Sequence, residues 1–210
     1  MVPYFDRDGI VIYHGDCRDV LPSIDPATVD LLLTDPPYGI GYKGSNYWNG
    51  RTVHGDDEPF DPTPMLRYGK AVLFGANHFA HSLPETAGWI VWDKRDNTSR
   101  ELPGSDAELA WTNATTQVRV YRQVWMPHTI RGERLMHPTQ KPAGLMRWII
   151  RQWTKPGDLV LDPYMGSGPV AQACHELGRR YIGIELVKDY CKVAVGRLAQ
   201  QTLDLDGGAA

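Results

Sequence analysis

The chain has 210 residues, 42% of them hydrophobic and 22% charged, and its formal net charge is -3. This length supports one domain with a sizeable core and is marginal for two. No apolar run approaches the roughly 20 residues of a membrane helix, and no secretory signal is expected at the N-terminus. The three cysteines, Cys17, Cys174 and Cys191, are scattered, which argues against a disulfide framework or a zinc site and fits a reducing cytoplasm.

Short apolar runs bounded by turn residues predict buried parallel strands at 29–34, 71–74, 89–92, 159–161 and 181–184. The stretch 118–125 alternates and is rich in Val, Tyr and Trp, which predicts an antiparallel or edge strand. Periodicity and end signals predict helices at 63–68, 143–154, 170–178 and 187–201. Strands that alternate with helices indicate an α/β fold with a mostly parallel sheet.

We expect one domain over residues 1–203 and a frayed tail at 204–210. Within the domain, 39–64 holds five glycines and three prolines, and a loop this long is functional or disordered. From 118 to 156 the chain has eight basic residues and one acid, which suits a solvated face with an amphipathic helix or a phosphate-contacting surface. The sequence pI of about 6.1, taken alone, weighs against nucleic-acid binding.

The first element with clear chemistry is Asp35-Pro36-Pro37-Tyr38, which follows the apolar run 29–34. Ligands of open α/β sheets bind at the carboxyl ends of strands, and Asp35 lies at such an end. The two prolines lack backbone donors but keep their carbonyls as acceptors. Acceptors followed by an aromatic ring suit a planar group with an amino donor, and the alternative is a rigid turn with an incidental tyrosine.

A second acid, Asp162, follows the run 159–161 and precedes a glycine turn, Gly166-Ser167-Gly168, that opens a helix. The third glycine of the dinucleotide motif G-x-G-x-x-G is absent, and an acid at the strand end would repel pyrophosphate. The turn instead suits a ligand with an amino group or ribose hydroxyls. Glu185 ends the next strand and can accept hydrogen bonds from both ribose hydroxyls, although an isolated acid there would suit a solvated strand end.

Two weaker elements complete the set. The segment His137-Pro138-Thr139-Gln140-Lys141-Pro142 precedes a predicted helix and offers a cation, a hydroxyl and an amide, which suit a carboxylate ligand. Asp16, beside Cys17, follows the apolar run 10–13. It can accept a hydrogen bond from an adenine amino group, or it can be the N-cap of a helix.

Together and in this order, these elements resemble the beta class of DNA amino-methyltransferases, in which D-P-P-Y precedes the D-P-x-x-G-S-G cofactor element. The resemblance extends from Ile10 to Leu198 and departs at Pro169, where a threonine is usual. It implies the Rossmann-like fold of S-adenosylmethionine-dependent methyltransferases. This fold has a mostly parallel seven-stranded sheet with one antiparallel strand, and helices on both faces.

The resemblance also implies roles for single residues. Asp35, Pro36, Pro37 and Tyr38 would act on the target base. Asp16 and Cys17 would meet the cofactor's adenine, Glu185 its ribose, and Thr139 and Lys141 its carboxylate. The full set expected to contact S-adenosylmethionine is Asp16, Cys17, Asp35, Thr139, Lys141, Asp162, Tyr164, Gly166, Ser167, Gly168, Glu185 and Leu186. No metal is expected.

The implied reaction methylates the 6-amino group of adenine in double-stranded DNA, because an acid at the first position of D-P-P-Y leans to adenine and a serine to cytosine. The target base must leave the duplex to react, and Tyr38 would stack on it. DNA contacts are expected from a target loop at 39–64, with a mobile element that closes over the base, and from a basic region at 113–136. The residues are Tyr42, Lys43, Trp48, Arg51, Arg119, Arg122, Arg131 and Arg134.

Several alternatives stay open. Methylation of the cytosine 4-amino group, of RNA or of a protein glutamine would use the same chemistry, and a non-catalytic DNA-binding module is a further alternative. The small recognition surface suits a short DNA site or help from a second subunit in a homodimer. The sequence does not tell whether a cognate restriction enzyme exists.

Overall fold

The computed structural model describes residues 1–42, 53–95, 105–124 and 141–206, with side chains as far as Ala199. The chain forms two compact units, one of Met1–Thr34 with Gln140–Ala210 and the other of Asp35–Thr139. The expectation of a single domain over 1–203 stays a prediction.

In chain order, the elements are β1 (Phe5–Arg7), β2 (Ile10–His14), α1 (Cys17–Val20), β3 (Leu31–Thr34), β4 (Ala71–Phe74), β5 (Trp89–Asp93), β6 (Ala107–Thr112), β7 (Val118–Arg122), α2 (Ala143–Trp153), β8 (Leu159–Asp162), α3 (Pro169–Leu177), β9 (Arg180–Glu185) and α4 (Lys188–Asp206). Short 3-10 turns lie at Leu21–Ser23, Pro26–Thr28, Thr63–Met65 and Ala80–Ser82.

The strands of the first unit lie in the order β1-β2-β9-β8-β3. All neighbours are parallel except β1 and β2, which form an antiparallel hairpin. Asp8 and Gly9 connect that hairpin with φ angles of 53° and 77°, which match a two-residue type I′ turn. Every residue of β3 and β8 is buried, as expected for strands of a covered parallel sheet.

The helices of the first unit pack on one another, α2 against α3 and α3 against α4. α2 buries Leu145, Met146, Ile149 and Ile150 at helical spacing, and each such side chain stabilises the fold by about 1.5–3 kcal/mol. α3 begins at Pro169, where the first turn needs no N–H donor, and it ends before Gly178, which has a φ of 67°.

The strands of the second unit lie in the order β4-β6-β5-β7. β6 is antiparallel to both of its neighbours, whereas β7 is parallel to β5. β4, Trp92 and Trp111 form a buried core. Of the described strands, β7 pairs only with β5, so the predicted edge strand is confirmed and its antiparallel alternative is wrong.

The structure corrects the predicted strand count, because the described residues contain nine strands where seven were expected. The antiparallel pairs are β1 with β2, β4 with β6 and β5 with β6, where one antiparallel strand was expected. β1, β2 and β6 were not predicted as strands, since the sequence analysis noted 10–13 only as an apolar run. β1 has three residues, and the alanines and glutamate of β6 have low strand propensity.

Two predicted helices also differ at their ends. The helix expected at 63–68 is reduced to the turn Thr63–Met65, because so short a segment forms few intrahelical hydrogen bonds to offset the cost of its first turn. α4 continues to Asp206, three residues into the predicted tail.

Candidate active site

The parallel strands of the first unit end at one edge of its sheet, and predicted cofactor residues gather there. The register pairs His14 with Glu185. Gly15 donates its N–H to the Glu185 carbonyl at 3.0 Å, so α1 starts beside the end of β9. Asp162 ends the adjacent strand β8. Acids that are far apart in the sequence therefore meet at the edge where ligands of such sheets bind.

Asp162 is only 2% exposed, and donors of the protein itself surround its carboxylate. The Thr34 hydroxyl donates to Oδ1 at 2.7 Å, the Tyr164 N–H donates to the same oxygen at 3.2 Å, and the Tyr181 hydroxyl donates to Oδ2 at 3.3 Å. Burial, followed by the nearby Asp162 charge, raises the pKa of Tyr181 well above its ordinary value. These bonds compensate a buried charge. They favour a role for Asp162 in shaping the turn, whereas the sequence suggested direct contact with the ligand.

The two glycines of the glycine turn, Gly166 and Gly168, have different roles that the sequence could not distinguish. Gly166 and Gly168 both have left-handed backbones, with φ angles of 56° and 79°. A Cβ on Gly166 would meet no atom within 4 Å, whereas one on Gly168 would lie 2.8 Å from the Cβ of Ala194 in α4. Gly166 therefore leaves open space where a ligand can approach the backbone, and Gly168 permits close packing of α3 on α4.

Glu185 holds the same turn from the end of β9. Its Oε2 accepts the Gly166 N–H at 2.8 Å, and its Oε1 accepts the Val187 N–H at 2.7 Å. Burial raises the pKa of this carboxyl, although the side chain keeps part of its surface exposed. A partly exposed carboxylate beside an open glycine is a suitable acceptor for ribose hydroxyls.

Asp16 is the N-cap of α1, which was one of its two predicted roles. Its Oδ1 accepts the Arg18 N–H at 2.8 Å, and the Arg18 guanidinium donates to both carboxylate oxygens. These hydrogen bonds lower the pKa of Asp16. The neighbouring Cys17 is buried, and its thiol lies close to the Tyr164 side chain. Burial raises the pKa of both Cys17 and Tyr164.

The other predicted cofactor residues differ in exposure. Lys141 is 4% exposed at the start of α2, Ser167 is buried in the glycine turn, and Leu186 is 45% exposed after β9. Thr139 lies outside the described residues.

The D-P-P-Y segment begins the second unit and has a defined internal geometry. The Tyr38 hydroxyl donates to Oδ1 of Asp35 at 2.6 Å. The Tyr38 ring stacks on His78 with a centroid distance of 5.3 Å and an interplanar angle of 13°. Pro36 is buried, while Asp35, Pro37 and Tyr38 are partly exposed. The tyrosine therefore orients the carboxylate that precedes it.

Sequence reasoning missed three residues that shape this segment, namely His78, Gly75 and Asp56. A Cβ on Gly75 would overlap the Tyr38 ring, so only glycine fits there. Asp56 is 3% exposed and accepts backbone N–H groups of the segment. A glycine directly after the strand 71–74 was visible in the sequence, but its contact with Tyr38 was not.

The predicted DNA-binding residues are described only in part. Tyr42 is partly exposed, and Arg119 is exposed on β7. Arg122 is also exposed, but its Nε donates to Oδ2 of Asp93 at 3.0 Å, which ties up part of its guanidinium. Lys43, Trp48, Arg51, Arg131 and Arg134 lie outside the described residues.

The part of the chain that the structure describes lacks two kinds of feature. It holds no group of three or more His, Cys, Asp or Glu side chains that could bind a metal ion. None of its helices is long and apolar enough to span a membrane.

Comparison with known proteins decides what this geometry belongs to. A family model described as DNA methylase matches residues 85–196. YubD of Escherichia coli (strain K12) is 32% identical over 217 aligned residues, which cover 94% of this chain and 93% of that protein. The chain belongs to the family of DNA amino-methyltransferases. The predicted beta-class resemblance and the dependence of the family on S-adenosylmethionine are confirmed.

Solved structures agree with this assignment. The M1.HpyAVI–SAM complex is 27% identical, with a TM-score of 0.58 and coverage of 90% of this chain and 99% of that one. The PvuII DNA methyltransferase, described as cytosine-N4-specific, has a TM-score of 0.64 over 93% of this chain and 88% of its own. At 17% identity, the likeness to the PvuII enzyme shows the fold alone. The predicted Rossmann-like class of this DNA methyltransferase is confirmed.

The described residues of the first unit fit S-adenosylmethionine. The open side of Gly166 leaves space beside the backbone, and Glu185 offers a partly exposed acceptor for hydroxyl groups. Asp16, at the start of α1, can accept from an amino group in addition to capping the helix. These acceptors suit the hydroxyl groups of the cofactor's ribose and the amino group of its adenine.

Proposed function

We propose that this DNA methyltransferase transfers a methyl group from S-adenosylmethionine to the 6-amino group of adenine in double-stranded DNA. The main support is the pairing of Asp35 with Tyr38 within D-P-P-Y, where the hydroxyl donates to the carboxylate at 2.6 Å. This pairing presents an oriented anionic acceptor next to a flat ring. An amino group on a planar base needs both.

Asp35 and Pro36 would activate the amino group. Its lone pair is delocalised into the base, which makes the nitrogen a poor nucleophile. The Asp35 side chain and the Pro36 carbonyl would accept hydrogen bonds from its two protons, which draws the nitrogen toward a tetrahedral geometry and frees the lone pair. Pro37 would keep this backbone rigid, since the ring fixes φ. Much of the rate acceleration would come from such positioning.

The first unit would hold the cofactor, which supplies an electrophilic methyl group on its sulfonium. Glu185 would accept hydrogen bonds from the ribose, with Leu186 beside it. Asp16 and Cys17 would meet the adenine, and Thr139 and Lys141 the carboxylate. Tyr164, Gly166 and Ser167 would line the turn. Asp162 and Gly168 would support the turn from inside, as their burial and packing indicate.

The target base would be flipped out of the duplex, since its amino group is otherwise out of reach. Stacking on Tyr38 would contribute about 1–3 kcal/mol. Tyr42, Trp48, Lys43 and Arg51 of the target loop would supply further stacking and phosphate contacts. Arg119, Arg131 and Arg134 of the basic region would contact the DNA backbone. The ion pair with Asp93 makes Arg122 a weaker candidate than its neighbours.

Methylation of the cytosine 4-amino group is the second candidate for the reaction. The same acceptors would activate that amino group, because both bases present an exocyclic amino group with two protons. The acid at position 35 favours adenine through the resemblance of the motif to the adenine-directed enzymes. A homodimer and action in the cytoplasm stay expectations.

The test is transfer of a radiolabelled methyl group from S-adenosylmethionine to unmethylated DNA, followed by nucleoside analysis of the product. We expect label on the 6-amino group of adenine and at least a 100-fold loss of rate in Asp35→Ala, because positioning at the nucleophile is lost. Asp106→Ala is the matched control, since Asp106 is an exposed aspartate of the same unit. Label on cytosine would contradict the choice of base, and an active Asp35→Ala variant would contradict the proposed mechanism.

A further inference from the structure

One buried aspartate, Asp56, accepts hydrogen bonds from several backbone N–H groups of the segment that follows D-P-P. Oδ1 of Asp56 accepts the N–H groups of Tyr38 at 2.7 Å and Gly39 at 2.9 Å, and Oδ2 accepts that of Tyr42 at 2.6 Å. The Asp56 carbonyl accepts the Gly41 N–H at 2.7 Å. Four of the five N–H groups from 38 to 42 therefore converge on a residue that is distant in sequence.

The backbone of this segment is shaped for an anion. Gly39 and Gly41 have left-handed backbones, with φ angles of 75° and 62°. Such conformations turn successive N–H groups into one concavity, which binds anions in many proteins. A Cβ on Gly39 would lie 2.7 Å from the Glu58 carbonyl oxygen, so the position accepts only glycine. The protein fills this concavity with its own carboxylate, that of Asp56.

The energies favour a fixed segment. Charge-assisted hydrogen bonds are roughly twice as strong as neutral ones, and burial of the Asp56 carboxylate makes each bond costly to lose. Fixing the backbone of each residue costs about 1–2 kcal/mol of conformational entropy. Asp56 offsets this cost within the folded protein, before any DNA is bound.

The consequence for Tyr38 is that it is held from both ends. Its N–H is bound by Asp56, its ring stacks on His78, and its hydroxyl is bound to Asp35. A shift of the backbone at 38–42 would therefore move the hydroxyl that orients the catalytic acid. The first residues of the target loop, 39–42, are tied to Asp56 in the same way.

We propose that Asp56 is a positioning residue for methyl transfer, which fixes the backbone at 38–42 so that Tyr38 and Asp35 are arranged before the target base arrives. This proposal rests on the proposed function, in which Asp35 and Tyr38 act on the base. It assigns Asp56 an effect on the chemical step and none on cofactor binding.

The test variant is Asp56→Asn, which keeps the volume but replaces one acceptor oxygen with an NH₂ group that faces a backbone N–H. We expect the single-turnover rate of DNA methylation to fall about tenfold to a hundredfold, since a displacement of about 1 Å costs this much. The dissociation constant of S-adenosylmethionine should stay within about twofold of wild type, since that constant depends on other residues. Asp106→Asn, which removes the same charge from an exposed site, should match wild type.

A double-variant cycle separates positioning from general stability. In a Tyr38→Ala background, Asp56→Asn should slow the reaction by less than twofold, because a residue that acts through Tyr38 has nothing left to position. A full additional loss in that background would overturn the proposal, as would a wild-type rate in the single variant. A large drop in melting temperature together with weaker cofactor binding would also overturn it. An active Asp35→Ala variant would instead contradict the proposed function, so the two failures are distinguishable.

Discussion

The glycine turn of the first unit and the D-P-P-Y segment of the second are both held by a carboxylate that accepts backbone N–H groups. Glu185 binds the N–H groups of Gly166 and Val187 and keeps part of its side chain exposed. Asp56 binds three N–H groups and is 3% exposed. The two carboxylates share one type of bonding and differ in access to solvent.

This difference shows how one device serves two purposes. A carboxylate that stays partly exposed can order a turn and still accept a ligand, as we propose for Glu185. A buried carboxylate can act only on the chain around it, and it preorganises the segment that it holds. The two acids are therefore expected to affect different kinetic constants, cofactor affinity for Glu185 and the rate of transfer for Asp56.

The largest expected effect is that of Gly75→Ala on the D-P-P-Y segment and hence on the rate of methyl transfer. A Cβ at position 75 would overlap the Tyr38 ring, and the φ of 68° disfavours any side chain. We expect the transfer rate to fall about 100-fold, because Tyr38 must move away from Asp35, while cofactor affinity is unchanged. Rapid-quench methylation assays measure the rate. Gly69→Ala is the matched control, since a Cβ there meets no atom within 4 Å; equal rates in both variants would contradict the role of Tyr38.

A smaller effect is expected from Glu185→Gln, which tests the other carboxylate. The substitution weakens a charged hydrogen-bond acceptor, so we expect the dissociation constant of S-adenosylmethionine to rise about tenfold, equivalent to about 1.4 kcal/mol. Affinity for DNA should be unchanged. Isothermal titration calorimetry measures both constants, with the exposed Glu85→Gln as control. An unchanged cofactor affinity would show that Glu185 only holds the glycine turn, just as Asp56 only holds the backbone at 38–42.

The smallest effect on activity among these variants is expected from Gly168→Ala. Gly166→Ala is the variant with which it is compared. Both glycines have a positive φ, so both variants carry backbone strain. Only Gly168→Ala adds a clash, with Ala194, and we expect it to lose about 1–3 kcal/mol more of the free energy of unfolding. Urea denaturation measures this difference. Gly166→Ala should instead weaken cofactor binding, and the reverse pattern would show that the two glycines were assigned the wrong way round.

Much of the first unit was predictable because its signals are local. The buried strands β3 and β8 are continuous apolar runs, and α2 shows its buried face at helical spacing. The missed hairpin of β1 and β2 had a signal as well, since Asp8-Gly9 is a typical two-residue turn. β6 had none, because its alanines and glutamate become a strand only between β4 and β5.

The sequence by itself determined which acids follow which strands, in what order, and hence the chemistry and the family. Those signals are local, because a strand, a turn and the residue after it are neighbours in the chain. Only the tertiary structure decided how each acid is used. Asp162 accepts a hydrogen bond from Thr34, a residue 128 positions away, and Asp56 binds the Tyr38 N–H across a stretch of sequence that has little periodicity. Burial and hydrogen-bond partners are properties of distant residues brought together, so no local pattern could assign them.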